Sequence, residues 1–306
     1  MQGRLKGYYK IAVKNKDGHV NETPWFENMI LNQGLDAFGT SGSIGYGYVF
    51  TFIEVGTGTT PVTPNDTQLA NFLARADNSG NQLSSSYFND GTSGDYSGNW
   101  TFNATFPVGS AVGNITEVGV GGFGLVPDPG QLVSRALITD EFGSPTSIPV
   151  AAEDELTIFY RLQIFPSLID TTGTVTILGS TLTYTSRLLA AGNAGYSYTA
   201  GNACFLNGLQ TDASLTNITA TVASGTFVPL NGGGVQSAIP LTYSTGTYYR
   251  DVNFVVAPQD GNVGGGIKGF YLNSGIGKYQ IILNNPIAKT ATNSFSITFR
   301  QTWGRD

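Results

Sequence analysis

The sequence predicts a mostly β fold: two β-sandwich-like modules, residues 1–166 and 167–306, with one or two short helices in the N-terminal half. Three observations carry that reading. Apolar and polar residues alternate over many short runs, the period of a half-buried strand. Glycine fills 41 of the 306 positions without a collagen-like repeat, which suits tight turns and not long helices. One long alternating run is written twice, as "LTIFYRLQIFP" at 156–166 and "FSITFRQTWGR" at 295–305, each with an Arg five positions after its first apolar residue.

Taken in order, residues 4–30 read as a hairpin. Leu5, Tyr9, Ile11 and Val13 share one parity, Lys6, Tyr8, Lys10 and Lys14 the other, and Asp17-Gly18 supplies the turn. "LNQGLDAFG" places Leu31, Leu35 and Phe38 at helical spacing, closed by Gly39. "YVFTFIEVGTGTT" is a strand entering a Gly-Thr loop. "TPNDTQLANFLAR" has the signature of a second helix: Thr63 as N-cap, Pro64 in the first turn, Asp66 as capping acid, and Leu69, Phe72 and Leu73 as the buried face. Residues 77–99 and 189–214 read as polar loops. "WTFNATF", "ITEVGV", "LVSRALITD" and "ELTIFYRLQIF" are strands. So are "TVTILGSTLTYTSRLL", "LTNITATVA", "YYRDVNFVVAP", "KYQIILNN" and "SFSITFRQTW".

The doubled Arg strand has a doubled context. A Gly-Asn pair, a Gly-rich strand, an apolar strand and a Pro-led loop precede it both times, which points to two related β modules meeting near residue 166. Each should then close around its own core, one lined by Leu156, Ile158, Tyr160 and Leu162, the other by Phe295, Ile297, Phe299 and Trp303.

Charged residues make up 12% of the chain, about half the usual ~25%, so Ser, Thr, Asn and Gly must cover the surface. The net charge of −6 argues against a general nucleic-acid binder. Cys204 is the one cysteine, which excludes an intrachain disulfide and fits assembly in a reducing cytoplasm. No apolar run reaches the ~18–20 residues of a membrane helix, and no apolar stretch follows the Lys and Arg of residues 1–16, so neither membrane insertion nor a signal peptide is expected.

Chemistry-bearing motifs are few. "VGTGTT" lacks the Lys-Ser/Thr that grips phosphate and metal; its glycines read as turn residues with positive φ. His19 is the only histidine and follows a hairpin turn, so it reads as exposed, and one His with one Cys does not make a zinc site. Glu153, Asp154 and Glu155, with Glu117, Asp128, Asp140 and Glu141 upstream, are the remaining catalytic resource. They read as turn acids, because nothing in their spacing sets apart an acid–nucleophile pair or a calcium loop. No enzyme activity, cofactor or metal is expected. Tyr46 and Tyr48, Tyr196 and Tyr198, and Tyr248 and Tyr249 stand beside Gly or Ser, as half-buried strand residues, interface anchors or glycan-stacking groups.

In combination, "WFENMILNQGLDAFG", "EVGTGTTPVTPNDTQLANFLAR", "ITEVGVGG" with "SRALITDEFGSPTSIPVAAEDELTIFYRLQIFP", and "PIAKTATNSFSITFRQTWGRD" resemble virion structural proteins of tailed bacteriophages, of the tail, neck or fibre-attachment type. The resemblance covers most of the chain from Trp25 onward and is weakest over 167–250. It implies a β-rich building block in the tail or neck region of a virion, assembled in the bacterial cytoplasm with other virion proteins and further copies of itself. It implies no catalytic residues. A receptor-binding protein for host glycan or protein, and a polysaccharide depolymerase, are the alternatives.

One surface stands out. Arg4, Lys6, Lys10 and Lys14 precede every acidic residue of the chain and fall on one face of a strand. They read either as protection of an exposed strand edge or as a docking stripe. With Trp303 and Arg305 at the other end of the chain, they form the candidate assembly interface.

Overall fold

The computed structural model describes residues 2–40, 50–77, 84–90, 95–122, 132–188, 206–212, 238–262, 264–274 and 277–306. Among the described residues strands predominate and there is one helix, so the fold is mostly β. The first half contains β1 (Gln2–Lys14), β2 (Val20–Glu22), β3 (Phe26–Ile30), α1 (Asn32–Thr40), β4 (Phe52–Gly56), β5 (Phe72–Asp77), β6 (Ser84–Asp90), β7 (Asp95–Phe106), β8 (Gly113–Ile115), β9 (Glu117–Gly121), β10 (Leu132–Leu137), β11 (Ile148–Val150) and β12 (Glu155–Pro166). The second contains β13 (Thr171–Ile177), β14 (Ser180–Leu188), β15 (Leu206–Asp212), β16 (Ala238–Pro240), β17 (Tyr249–Val256), β18 (Ile267–Ser274), β19 (Gly277–Ile287) and β20 (Phe295–Arg305).

β1 is the organising strand. One edge pairs antiparallel with β12 along nearly its whole length, from Gly3↔Pro166 to Lys14↔Glu155. The other edge takes three strands in turn: β20, parallel at Gln2–Leu5; β3 at Gly7–Tyr9; and β2 at Ala12–Lys14. The strict alternation of β1 and β12 buries Leu5, Tyr9, Ile11 and Val13 with Leu156, Ile158, Tyr160, Leu162 and Ile164. Each such side chain contributes roughly 1.5–3 kcal/mol when fully buried.

The repeat read from the sequence extends through the pairing. β12 lies on β7 with Leu156↔Phe106 and Ile158↔Ala104; β20 lies on β17 with Phe295↔Val256 and Ile297↔Phe254. Equivalent turns lead into both long strands. The Asp154 amide donates to the Ala151 carbonyl (3.2 Å) while Asp154 Oδ2 accepts from the Ala151 amide (2.9 Å). Asn293 and Thr290 make the same two bonds, at 3.3 and 3.0 Å. The remaining strands correspond as well: β1-β3-β10-β9-β4 in the first half has the same antiparallel neighbours as β13-β14-β19-β18-β15 in the second.

Residue 166, the expected boundary, is the last residue of β12. The cores are not separate, however: a single buried cluster holds Leu156, Ile158 and Tyr160 together with Phe295, Ile297 and Trp303, and Phe299 packs half-buried against it. The reason is β20, whose last residues leave their own half to pair with β1. There Trp303 is buried, its indole Nε1 donates to the Leu35 carbonyl (2.8 Å), and its ring stacks on Tyr243 (5.9 Å between centroids). Gly39 lies inside α1, and a Cβ there would meet the Tyr243 ring at 2.3 Å, so glycine is what lets the helix lie on this seam.

Two expectations for loops and helices change. The polar stretch 77–99 contains the β6–β7 hairpin, closed at Asp90↔Asp95, and β15 falls within 189–214. The second helix is absent: residues 72–77 form β5, paired with β4. "LTNITATVA" lies outside the described residues.

Trp303 carries a direct prediction. Trp303→Ala removes a large buried aromatic that ties β20 to α1, and should cost ~3–5 kcal/mol. In urea titration the midpoint should fall with the slope unchanged, the mark of lost stability without a change in compactness.

Candidate functional site

Charged residues inside apolar strands are the first candidates. Glu117 at the start of β9 is fully buried, and Arg135 in β10 is 2% exposed. Glu117 Oε1 accepts from the backbone amides of Gly58 (3.0 Å) and Asn71 (2.8 Å). Its Oε2 accepts from the Ala70 amide (3.0 Å) and from Arg135 Nε (2.9 Å) and Nη2 (2.7 Å). Arg135 also holds Asp66 and donates to the Thr60 carbonyl (3.0 Å). A carboxylate filled by five donors has no lone pair left to act as a general base. The cluster is a latch that fastens the 57–71 loop onto β9 and β10.

The latch explains the missing helix. Thr63 and Asp66 do make the reciprocal bonds of a helix start: Thr63 Oγ1 and its amide donate to Asp66 at 2.7 and 3.1 Å. Burial opposes the Asp66 carboxylate, but Thr63 and Arg135 outweigh it and hold its pKa below the usual carboxylate range. A helix would then point the amides of Ala70 and Asn71 at carbonyls four residues back. Glu117 takes both instead, and the chain turns into β5. Gly56 and Gly58 serve this packing and not a positive φ: a Cβ at Gly58 would sit 2.4 Å from Glu117 Oε1, and one at Gly56 would sit 2.4 Å from the Asn71 carbonyl. A second ion pair, buried Glu54 with half-buried Arg75, joins β4 to β5, and burial pushes the Glu54 pKa up.

The basic stripe lies on one face, as its parity requires, but β1 is an interior strand and has no exposed edge to protect along most of its length. Arg4 and Lys6 both pair with Asp306, the latter at 2.9 Å, and Lys6 also approaches Glu27 at 3.7 Å. Lys10 pairs with Glu22 (2.9 Å) and lies 4.7 Å from the Phe159 ring centre. Lys14 is exposed. Arg305 donates to the Ile30 carbonyl and Asn32 Oδ1. These residues, with Trp303, therefore gather where the first and last strands meet, and most of their charge is directed at the chain's own groups.

The other sequence candidates disperse. His19 is exposed in the turn after β1, its amide bonded to Asn15 Oδ1 (2.8 Å). Asp140 caps its own turn through the Phe142 and Ser144 amides (2.9 Å each), and Glu141 and Glu153 are exposed. Asp128, Tyr46, Tyr48, Tyr196 and Tyr198 lie outside the described residues. Tyr248 has φ of 49°, and its carbonyl accepts the Trp303 amide (3.0 Å). The Tyr249 ring stacks under the Arg300 guanidinium at 3.7 Å. Among the described residues no group of His, Cys, Asp and Glu is placed to hold a metal ion, and no helix is long and apolar enough to cross a membrane.

A groove of about 370 Å³ opens between β13 and β20 in the second half. Phe270, Ile281, Leu283 and Ile297 form its floor, and Thr174 and Thr298 stand on opposite rims. It lies at the seam that corresponds to the β1–β12 pairing of the first half. Its one mark in the sequence is "TTGTVTI", short and threonine-rich beside its long first-half counterpart.

Comparison with protein-family models, with curated proteins and with solved structures finds no match for this chain.

Glu117→Ala leaves the buried Arg135 with only Asp66 and the Thr60 carbonyl and frees three amides, and should cost ~3–5 kcal/mol. Hydrogen exchange should accelerate at Gly58, Ala70 and Asn71 before it does in β12. For Asp306, the hydrogen bond from Lys6 is the main cause of a lowered pKa, with Arg4 adding to it and burial opposing. A lowered carboxylate pKa stabilises the fold above the unfolded value, ~3.9, and that contribution is lost as pH falls through the lowered folded value. Wild type and Asp306→Asn should therefore differ in unfolding free energy near neutrality and converge in acid.

Proposed function

We propose that the chain is a structural component of a tailed-bacteriophage particle, in the tail, neck or fibre-attachment region, and that it acts by assembly with other virion proteins and copies of itself. The observation that carries this reading is where the distinctive segments meet. Gly58 and Asp66 of "EVGTGTTPVTPNDTQLANFLAR", Glu117 of "ITEVGVGG" and Arg135 of "SRALITD" converge in the latch. Leu35 and Asn32 of "LNQGLDAFG" receive Trp303 and Arg305 of "SFSITFRQTWGRD". The stretches that resemble virion proteins are thus occupied in holding shape, which is what a building block requires. A surface poor in charge suits association with other chains.

Particles of the phage that encodes the chain provide the test. Mass spectrometry of purified particles should find the chain at a fixed copy number, and labelled antibody should mark the collar or tail shaft. Label confined to the distal tip, with binding of the isolated protein to host cells, would favour receptor recognition. Turnover of host polysaccharide by the isolated protein would favour a depolymerase. Absence from particles would overturn the proposal.

A further inference from the structure

We propose that Arg161 is the anchor for an acidic peptide segment of a partner protein, and seats one carboxylate of it on the outer face of the β1–β12–β7 sheet. The doubled strand supplies the comparison. Arg161 of β12 and Arg300 of β20 occupy the same place in the repeat, five residues after Leu156 and Phe295. Both lie on an aromatic ring: the Arg161 guanidinium is 4.0 Å from the centre of Trp25, and that of Arg300 is 3.7 Å from the centre of Tyr249. They differ in what stands opposite on the neighbouring strands. Arg300 faces Asp251, whose carboxylate accepts from its Nε (2.7 Å) and Nη2 (2.8 Å). Arg161 faces Thr101 on one side and Tyr8 on the other, and neither brings a carboxylate.

Among the described residues Arg161 forms no hydrogen bond and no ion pair; its contact is the Trp25 ring. That sets it apart from the other arginines. Arg4, Arg75, Arg135, Arg187 and Arg300 each hold a carboxylate, and Arg250 and Arg305 donate to backbone carbonyls. A guanidinium is a planar fork of donors with no acceptor, and it meets a carboxylate through two parallel bonds. Stacking on Trp25 fixes the plane of the fork before any anion arrives. Less freedom is then lost on binding than for a cation on a free side chain. The repeat thus carries one arginine that is satisfied within the chain and one that is set in place and left open.

The surroundings select the kind of anion. Lys6 and Lys10 stand on either side of Tyr8 on the same face, but Glu27 and Asp306 engage Lys6, and Glu22 engages Lys10. At this place one cation is open, not a row of them. Nucleic acids and other polyanions are held by tracks of unpaired cations. A single carboxylate therefore fits this face, and a chain of phosphates does not. Beside Arg161, β7 buries Trp100, Phe102 and Ala104 and turns Asn99, Thr101 and Asn103 outward. Gln163 of β12 donates to Asn99 (2.7 Å). These neutral amides and hydroxyls suit the polar backbone of a peptide on either side of its acid. Arg and Trp are also the residues on which protein interfaces concentrate their binding energy. The inference stands whether or not the chain is a particle component.

The repeat also supplies the test. In the full-length protein, NMR at constant ionic strength can follow the side-chain Nε–H signals of Arg161 and Arg300 and the indole signals of the three tryptophans. The probe is a blocked tripeptide with a central Glu. It should shift Arg161 and Trp25 with half-saturation on the order of 10–100 mM, the range of one charge-assisted pair. Arg300, Trp100 and Trp303 should stay in place, and the same peptide with Gln should shift nothing. Thr101→Asp copies Asp251 into the first half and should abolish the response at Arg161. Asp251→Thr should create one at Arg300. Arg161→Lys keeps the charge but removes the fork, and should abolish the Trp25 shift; this variant decides the matter if Thr101→Asp does not fold. The proposal is overturned by the absence of a saturable shift at Arg161, by an equal shift at Arg300 in the wild type, or by an unchanged Trp25 response in Arg161→Lys. Inorganic phosphate that displaces the Glu peptide at lower concentration would overturn the stated occupant and assign Arg161 to a phosphate ligand.

Discussion

The fold depends on one strand satisfying two edges at once. β1 gives one edge wholly to β12 and divides the other among β20, β3 and β2, so the two halves of the molecule are joined through backbone hydrogen bonds and not through a linker alone. Register is fixed on both sides by alternation: a slip of one residue would turn Tyr9, Ile11 and Val13 outward and bury Lys10 and Lys14. The charges add a local lock. Asp306 receives Arg4 and Lys6, and its amide donates to the Leu5 carbonyl (3.1 Å), so the last residue of the chain is aligned against its first strand. Each such exposed pair is worth little alone. Placed at the end of a parallel pairing only a few residues long, they oppose fraying of that ladder.

Much of this was legible in the sequence, because alternation reports directly on which face is buried. The parity of β1, the Asp17-Gly18 turn, the helix built on Leu31, Leu35 and Phe38, and the twofold use of the Arg strand all follow from local pattern. The second helix did not survive because the competing interaction is remote: Glu117 lies far along the chain from Ala70 and Asn71, and no window around "TPNDTQLANFLAR" contains it. Thr63 and Asp66 behave as the sequence says, and tertiary hydrogen bonding then redirects the amides that follow. The same limitation applies to the basic stripe. Its parity was readable, but its partners, Asp306 and Glu27, are brought to it only by strand pairing. A charge such as Arg135 within "LVSRALI" was the available sign of a buried ion cluster, since an Arg in an apolar strand must find a partner when buried.

Repetition makes the difference between the halves informative. Both halves carry a long Arg strand on an antiparallel neighbour, entered through equivalent turns. The seam differs because β1 and β13 differ in length and chemistry. β1 runs long enough to close on β12 and still reach β20; β13 is a short Thr-rich strand that stays with β14. By pairing with the C-terminal end of β20, β1 also takes the edge of that strand which β13 would otherwise meet there. The closure of the first half and the opening in the second are thus two consequences of the same pairing.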